Sequence, residues 1–208
     1  QANRNLTVYT SLPEETEGIE NAGMILKTLL QKHSLVLIDC DFDTPMQYFE
    51  KTQEIYLVQT YDILTIQPLT AFLRDLKSKN ILQENKLRIV LNKALKVRGI
   101  NDKTIIGGMA YYNDPAMSFM TELFDRNTIR YITVPFDEDV YAKYLENVIE
   151  CEMTVKGYPK NMIQILKELS RMVYPMVSRK AGYVPPRVEN NGFTSSMNSA
   201  LDQMKRRY

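Results

Sequence analysis

Ser34-Leu35-Val36-Leu37-Ile38-Asp39-Cys40-Asp41-Phe42-Asp43-Thr44-Pro45 is an apolar run that ends abruptly in carboxylates. Its aliphatic part has no polar alternation, so a strand built from it is covered on both faces, the condition of a strand inside a parallel sheet. Ending that strand in Asp39 delivers a carboxylate to the carboxyl rim of the sheet, where open α/β folds bind ligands. Alone the pattern is open, because an aspartate in this place can equally start a turn or cap the next helix. Asp39, Asp41 and Asp43 do not make a calcium loop, because the glycine and distal glutamate of that spacing are absent.

Working outward, residues 6–9, 55–59, 87–91 and 131–134 are further β-rich apolar runs, and the segments between them have helical period. Strands alternating with helices are the sign of βαβ units. Ala22, Ile25, Leu26, Leu29 and Leu30 make one helical stripe, and Leu64, Leu69, Phe72, Leu73 and Leu76 a second; both are expected to cover the sheet. Asp114-Pro115 reads as an N-cap with proline at the first helical position, opening a helix that carries Met117, Met120, Leu123 and Phe124. A further helix is expected near Asp139. Another spans 161–173, with Ile165, Leu166, Leu169 and Val173 inward and Pro175 as its stop. Gly107-Gly108 reads as a turn.

Residues 1–178 thus form one α/β unit, and 179–208 a separate tail. The tail opens with Arg179, Lys180, Gly182 and Pro185-Pro186, a linker composition. Residues 195–208 then place Met197, Leu201, Met204 and Tyr208 at helical spacing ahead of Lys205, Arg206 and Arg207, a short amphipathic helix. It can dock on its own domain, fray, enter a partner's groove or lie on a membrane surface.

Composition removes several function classes. The 208 residues carry 26 lysines and arginines against 25 acidic residues. That balance gives no long-range field for nucleic acid, so a nucleic-acid partner is not expected. The cysteines, Cys40 and Cys151, lie in or beside apolar runs and read as buried, reduced thiols, not as a disulfide framework. His33 is the only histidine, too few for a histidine metal cluster or a triad, and is expected to end a helix. Tyr111-Tyr112 has no basic groove around it and reads as packing, not as a base-stacking platform. With no apolar run of bilayer length, the expected location is cytoplasmic, with the tail allowing peripheral membrane contact. Gln1 in place of an initiator Met suggests excision from a longer chain or loss of residues in processing.

From Asn5 to about Ser178 the order of segments resembles the C-terminal part of the MinD/ParA-type P-loop ATPase family, the deviant Walker A cytoskeletal ATPases, including its pilus-assembly branch. Residues 5–9 are similar to the strand ahead of the helix that leads into Walker B. Ser34 to Pro45 resembles Walker B and switch II, and 56–60 with 63–79 the next strand and its long helix. Arg88-Ile89-Val90-Leu91-Asn92-Lys93 resembles the strand that ends in an adenine-recognising asparagine; by itself Asn92 is also a good turn or cap residue. Tyr131 to Asp139 resembles the closing strand with its Pro135-x-Asp137 loop beside the base.

The resemblance implies a three-layer α/β/α fold with a mostly parallel sheet, and an ATP-dependent homodimer that positions other machinery in septum placement, partition, pilus assembly or secretion. It assigns Asp39 to Mg²⁺ and the catalytic water, Asn92 to adenine, and Pro135 to Asp137 to the base pocket. The chain departs from the family in lacking any Gly-x-x-x-x-Gly-Lys-Ser/Thr loop and the strand that carries it, a central element of the family's sheet. Its acidic stretch after Asp39 is also longer than the usual switch. ATP and Mg²⁺ are therefore expected to bind only where the phosphate loop is supplied, and this chain alone is expected to be inactive. The alternative is a non-hydrolysing scaffold that dimerises and docks partner proteins.

Overall fold

A parallel sheet of three strands, β1 (Ile55–Gln59), β2 (Leu87–Ala94) and β5 (Arg130–Pro135), organises the molecule in the order β1-β2-β5. These are seen in a computed structural model that describes residues 6–10, 21–114 and 119–174. Ile55 pairs with Leu87 and Gln59 with Leu91, while Arg88 pairs with Arg130 and Leu91 with Thr133. The central strand is buried on both sides: Leu87, Ile89 and Leu91 face one way, Arg88 and Val90 the other. The apolar runs at 55–59, 87–91 and 131–134 are thus strands of a parallel sheet, but only the central one is covered on both faces, since Val58 of β1 and Tyr131 of β5 are exposed.

Helices flank both faces. On one, α3 (Ile66–Ser78) brings Leu69, Leu73 and Leu76, and α4 (Asp102–Ala110) brings Ile105, Ile106 and Met109, into a single core with Ile55, Leu57, Leu87, Ile89 and Leu91. Leu73 and Leu76 are wholly buried; each contributes about 2 kcal/mol of transfer free energy. On the opposite face lies α6 (Lys160–Val173). Tyr56, which alternates with Ile55 and Leu57 along β1, donates its hydroxyl to the Met172 carbonyl of that helix at 2.8 Å. Beside it, Arg88 holds Glu54 at 3.0 Å, and Glu54 also accepts from the Tyr56 hydroxyl. This polar network closes the amino end of the sheet on the α6 side. The expected inward residues of α6, Ile165, Leu166, Leu169 and Val173, are half-buried, and Met162 is its buried anchor.

Several expectations are overturned. Residues 35–39 form no strand, and Leu35 and Leu37 are 42% and 70% exposed. A strand is a paired object, and among the described residues no backbone of the sheet pairs with this run. Residues 6–9 likewise contribute only an isolated bridge, at Leu6. The helix α1 (Ala22–Lys32) packs mainly on the short α2 (Met46–Lys51), not on the sheet, and Leu30 is exposed. From α2, Phe49 reaches the main core and meets Phe72 edge-on at 5.4 Å. His33 does end a helix: it caps α1 and bonds the Tyr9 hydroxyl at 3.0 Å.

In place of a helix opening at Asp114, the chain forms an antiparallel pair, β3 (Tyr111–Asp114) with β4 (Phe119–Glu122). Tyr111, Tyr112 and Thr121 are strand formers, and their cross-strand pairing outweighs the Asp-Pro signal. Leu123 and Phe124 are buried as expected, but Met120 is 59% exposed. Gly107 and Gly108 sit inside α4, not in a turn. A Cβ on Gly108 would stand 3.3 Å from Ile66 of α3, so glycine lets these helices approach closely. Cys40 and Cys151 are both exposed, because one lies in the unpaired segment after residue 39 and the other follows the helix that ends at Ile149. Among the described residues no helix is long and apolar enough to cross a membrane. Pro115, Met117, Pro175 and the tail 179–208 lie outside the described residues.

Candidate site at the carboxyl rim of the sheet

The parallel strands all end on one rim, and β2 and β5 end there side by side. Register between them slips after Leu91, which pairs with Thr133, so that Ala94 next meets Pro135. Asn92 and Lys93 therefore occupy on β2 the span that Val134 alone occupies on β5, a bulge of the kind that re-aims side chains at functional rims. Lys93 takes φ 52, in the left-handed region, at a cost of about 1 kcal/mol for a residue with a side chain. The half-buried Asn92 steadies this bend, its Oδ1 accepting from the Lys93 amide at 3.0 Å.

Across the bulge, the Phe136 amide donates to the Ala94 carbonyl at 2.9 Å, which fixes the loop after β5 against the end of β2. Pro135, with no amide hydrogen to place, suits the last position of an outer strand. Asp137 caps α5 (Glu138–Ile149), its Oδ1 accepting from the Val140 amide at 3.0 Å. Tyr141 in the first turn of α5 lies 4.9 Å beneath the Lys93 ammonium, centroid to nitrogen. Asn92, Pro135 and Asp137 are thus brought to one rim.

The rest of the rim was not legible as a site. Tyr61, just past β1, donates to Asp102 Oδ1, and Thr133 of β5 donates to Asp102 Oδ2 at 2.7 Å. Asp102 opens α4 next to its cap Asn101, whose Oδ1 accepts from the Thr104 amide at 3.0 Å. One carboxylate so ties together the ends of β1 and β5 and the start of α4. Burial, then the hydrogen bond to Asp102 and its charge, push the Tyr61 hydroxyl up to about 12. The signal available in the sequence was an Asn-Asp pair three residues before the apolar run of α4, a capping pattern. Beside this cluster opens a cavity of about 440 Å³ lined by Tyr61, residues 95–98, Ile100 and Asn101. Its walls are apolar at Tyr61, Leu95, Val97 and Ile100 and cationic at Lys96 and Arg98, both exposed.

Asp39 is not delivered to this rim by a strand; it lies exposed in the segment that leaves the sheet unpaired. The acidic residues after it build a local turn. Asp41 Oδ1 accepts from Thr44 Oγ1 at 2.8 Å and from the Asp43 amide at 3.1 Å, and the Asp41 amide returns a bond to Thr44 Oγ1 at 2.9 Å. The Thr44 hydrogen bond holds the Asp41 carboxyl below the usual carboxylate range. Among the described residues no group of three or more histidine, cysteine or acidic side chains is placed to hold a metal ion. In this arrangement Asp39 does not fit a magnesium ligand set. Neither a family model, nor a curated protein, nor a solved structure matches the chain.

Proposed function

We propose that the chain supplies the base-binding side of an ATP site in a positioning ATPase of the MinD/ParA type. The observation that carries this reading is the bulge at Asn92-Lys93 standing beside the Pro135-to-Asp137 loop at the carboxyl rim. An amide both donates and accepts, as the adenine edge requires. The Lys93 amide takes one lone pair of Asn92 Oδ1, which leaves Nδ2 for a ring nitrogen and the second lone pair for the exocyclic amine of the base. The apolar walls at Tyr61, Leu95 and Val97 suit the faces of a purine, and Lys96 and Arg98 suit the phosphates beyond it. Hydrolysis needs a phosphate loop and a carboxylate on Mg²⁺, and Asp39 can serve the metal only where its segment joins the sheet.

Titrating the full chain with adenosine, followed by amide NMR shifts, tests this reading without phosphate or metal. Shifts confined to 92–98 and 135–137, with a dissociation constant of roughly millimolar order for so small a ligand, and lost in Asn92→Ala, are expected. Equal shifts with uridine, or none at this rim, overturn it. The second reading is a non-hydrolysing scaffold that dimerises and docks partner proteins. It is favoured by the exposed Leu35 and Leu37 and by the uncovered apolar face of α5.

A further inference from the structure

One helix of the fold wears its apolar stripe outward. Along α5, Tyr141, Tyr144, Leu145, Val148 and Ile149 recur at the spacing of a single helical face, and all are exposed, Val148 at 54% and Ile149 at 82%. The opposite side of the helix is the one turned to the body, where Asn147 is buried and donates to the Thr154 carbonyl at 3.0 Å. Met153 and Val155 extend the exposed apolar surface past the end of the helix. Such a stripe is normally covered.

Charge decides between occupants. Glu138, Asp139, Glu146, Glu150 and Glu152 lie along α5 and just past its end; against them stand Lys143, which is engaged by Glu146 at 2.8 Å, and Lys93, whose ammonium sits over the Tyr141 ring. An anionic bilayer is repelled by that rim, since interfacial helices carry lysine and arginine on their flanks. A second copy of the same face would set carboxylates against carboxylates. A basic amphipathic helix has the complementary pattern, and the chain contains one: Met197, Leu201, Met204 and Tyr208 at helical spacing, with Lys205, Arg206 and Arg207 against Asp202. Twenty residues, 175–194, lie between the described body and this segment; extended, they reach about 65 Å, more than the width of a domain this size.

We propose that residues 195–208 dock as an amphipathic helix on the α5 stripe of the same chain, their basic end set among its carboxylates. Docking of this kind keeps the tail's apolar face from partners until something competes for it. The proposal does not depend on the nucleotide reading above.

The chain has no tryptophan, so Leu201→Trp places a single fluorescent reporter on the tail of the full chain. The expected result is a blue-shifted emission maximum with several-fold weaker acrylamide quenching than free indole, unchanged on dilution. Adding Val148→Glu with Ile149→Glu should shift the emission to that of exposed indole while leaving the far-ultraviolet circular dichroism intact. Lys205→Glu with Arg206→Glu and Arg207→Glu should do the same. Tyr208→Trp serves as a second reporter should Leu201→Trp itself disturb the contact. Exposed emission from both reporters, or emission indifferent to the α5 changes, overturns the proposal. So does a blue shift that disappears on dilution with halving of the mass, which means a second copy, or one that arises only with phosphatidylglycerol vesicles, which means a membrane.

Discussion

Tyr61, Asp102 and Thr133 show how one carboxylate can fasten the rim of a parallel sheet. The bonds cross from the end of β1 to the start of α4 and back to β5, so they hold together parts that are far apart in sequence. A half-buried phenol that donates to a carboxylate is stabilised in its protonated form, which is why the Tyr61 hydroxyl rises from its ordinary 10.0 to about 12. The sign of the linkage follows. A group whose folded value lies above its unfolded value contributes stability that is complete below the unfolded value and lost as pH climbs through the folded one. The Tyr61 contribution is therefore whole below pH 10 and disappears between 10 and about 12. Tyr61→Phe should lower stability by about 1 kcal/mol at neutral pH, the net value of one hydrogen bond. In urea melts the gap between variant and parent should narrow as pH rises across that window. A gap that stays constant to high pH would show that the phenol proton is not what the rim uses. Tyr56 also titrates high, pushed up by burial and Glu54, so the parent's own decline is shared and only the difference reports on Tyr61.

At the scale of elements, strands were legible where a neighbour completes them, and illegible where burial has to come from elsewhere. Residues 55–59, 87–91 and 131–134 had the same continuous apolar character as 35–39, yet only the first three pair. Periodicity reports what a segment would bury, not whether a partner strand stands beside it. The β3-β4 pair and α4 were missed for a related reason: local cap and turn signals at Asp114 and Gly107-Gly108 were outweighed by cross-strand pairing and by close packing of Gly108 on Ile66. Asn92 and Pro135 were expected at the rim because each closes an apolar run, and the pairing of β2 with β5 brings them there, whereas the Tyr61–Asp102–Thr133 cluster is assembled by topology alone. Asp137 has a structural duty that the sequence did not show: its carboxylate caps α5. Asp137→Ala should cost about 1 kcal/mol, and Asp137→Ser should recover most of it, serine being a comparable cap. Equal melting midpoints for the alanine and serine variants in urea would mean that the cap is not what this carboxylate contributes.

For the whole molecule, the decisive asymmetry is between a sheet centre that is finished and a margin that is not. β2 is covered on both faces and paired on both edges. Beyond β1 no further strand lies alongside among the described residues, Val58 on that strand is 60% exposed, and Val8, Leu35 and Leu37 are exposed as well. An open sheet edge invites pairing with another backbone. Either a strand joins that edge, or the segment 35–39 stays free of the sheet. Hydrogen exchange separates these, because an amide is protected by its hydrogen bond and by the free energy needed to open it. Amides of residues 87–91 should open only with global unfolding, and so exchange about a thousandfold or more slower than those of 35–39, given ordinary domain stability. Raising the protein concentration should leave the contrast unchanged. Slow exchange at 35–39 in dilute solution would mean that the run is paired within the molecule. Asp39 would then stand at a strand end on the rim after all, and a magnesium role for it would gain the geometry that it lacks here.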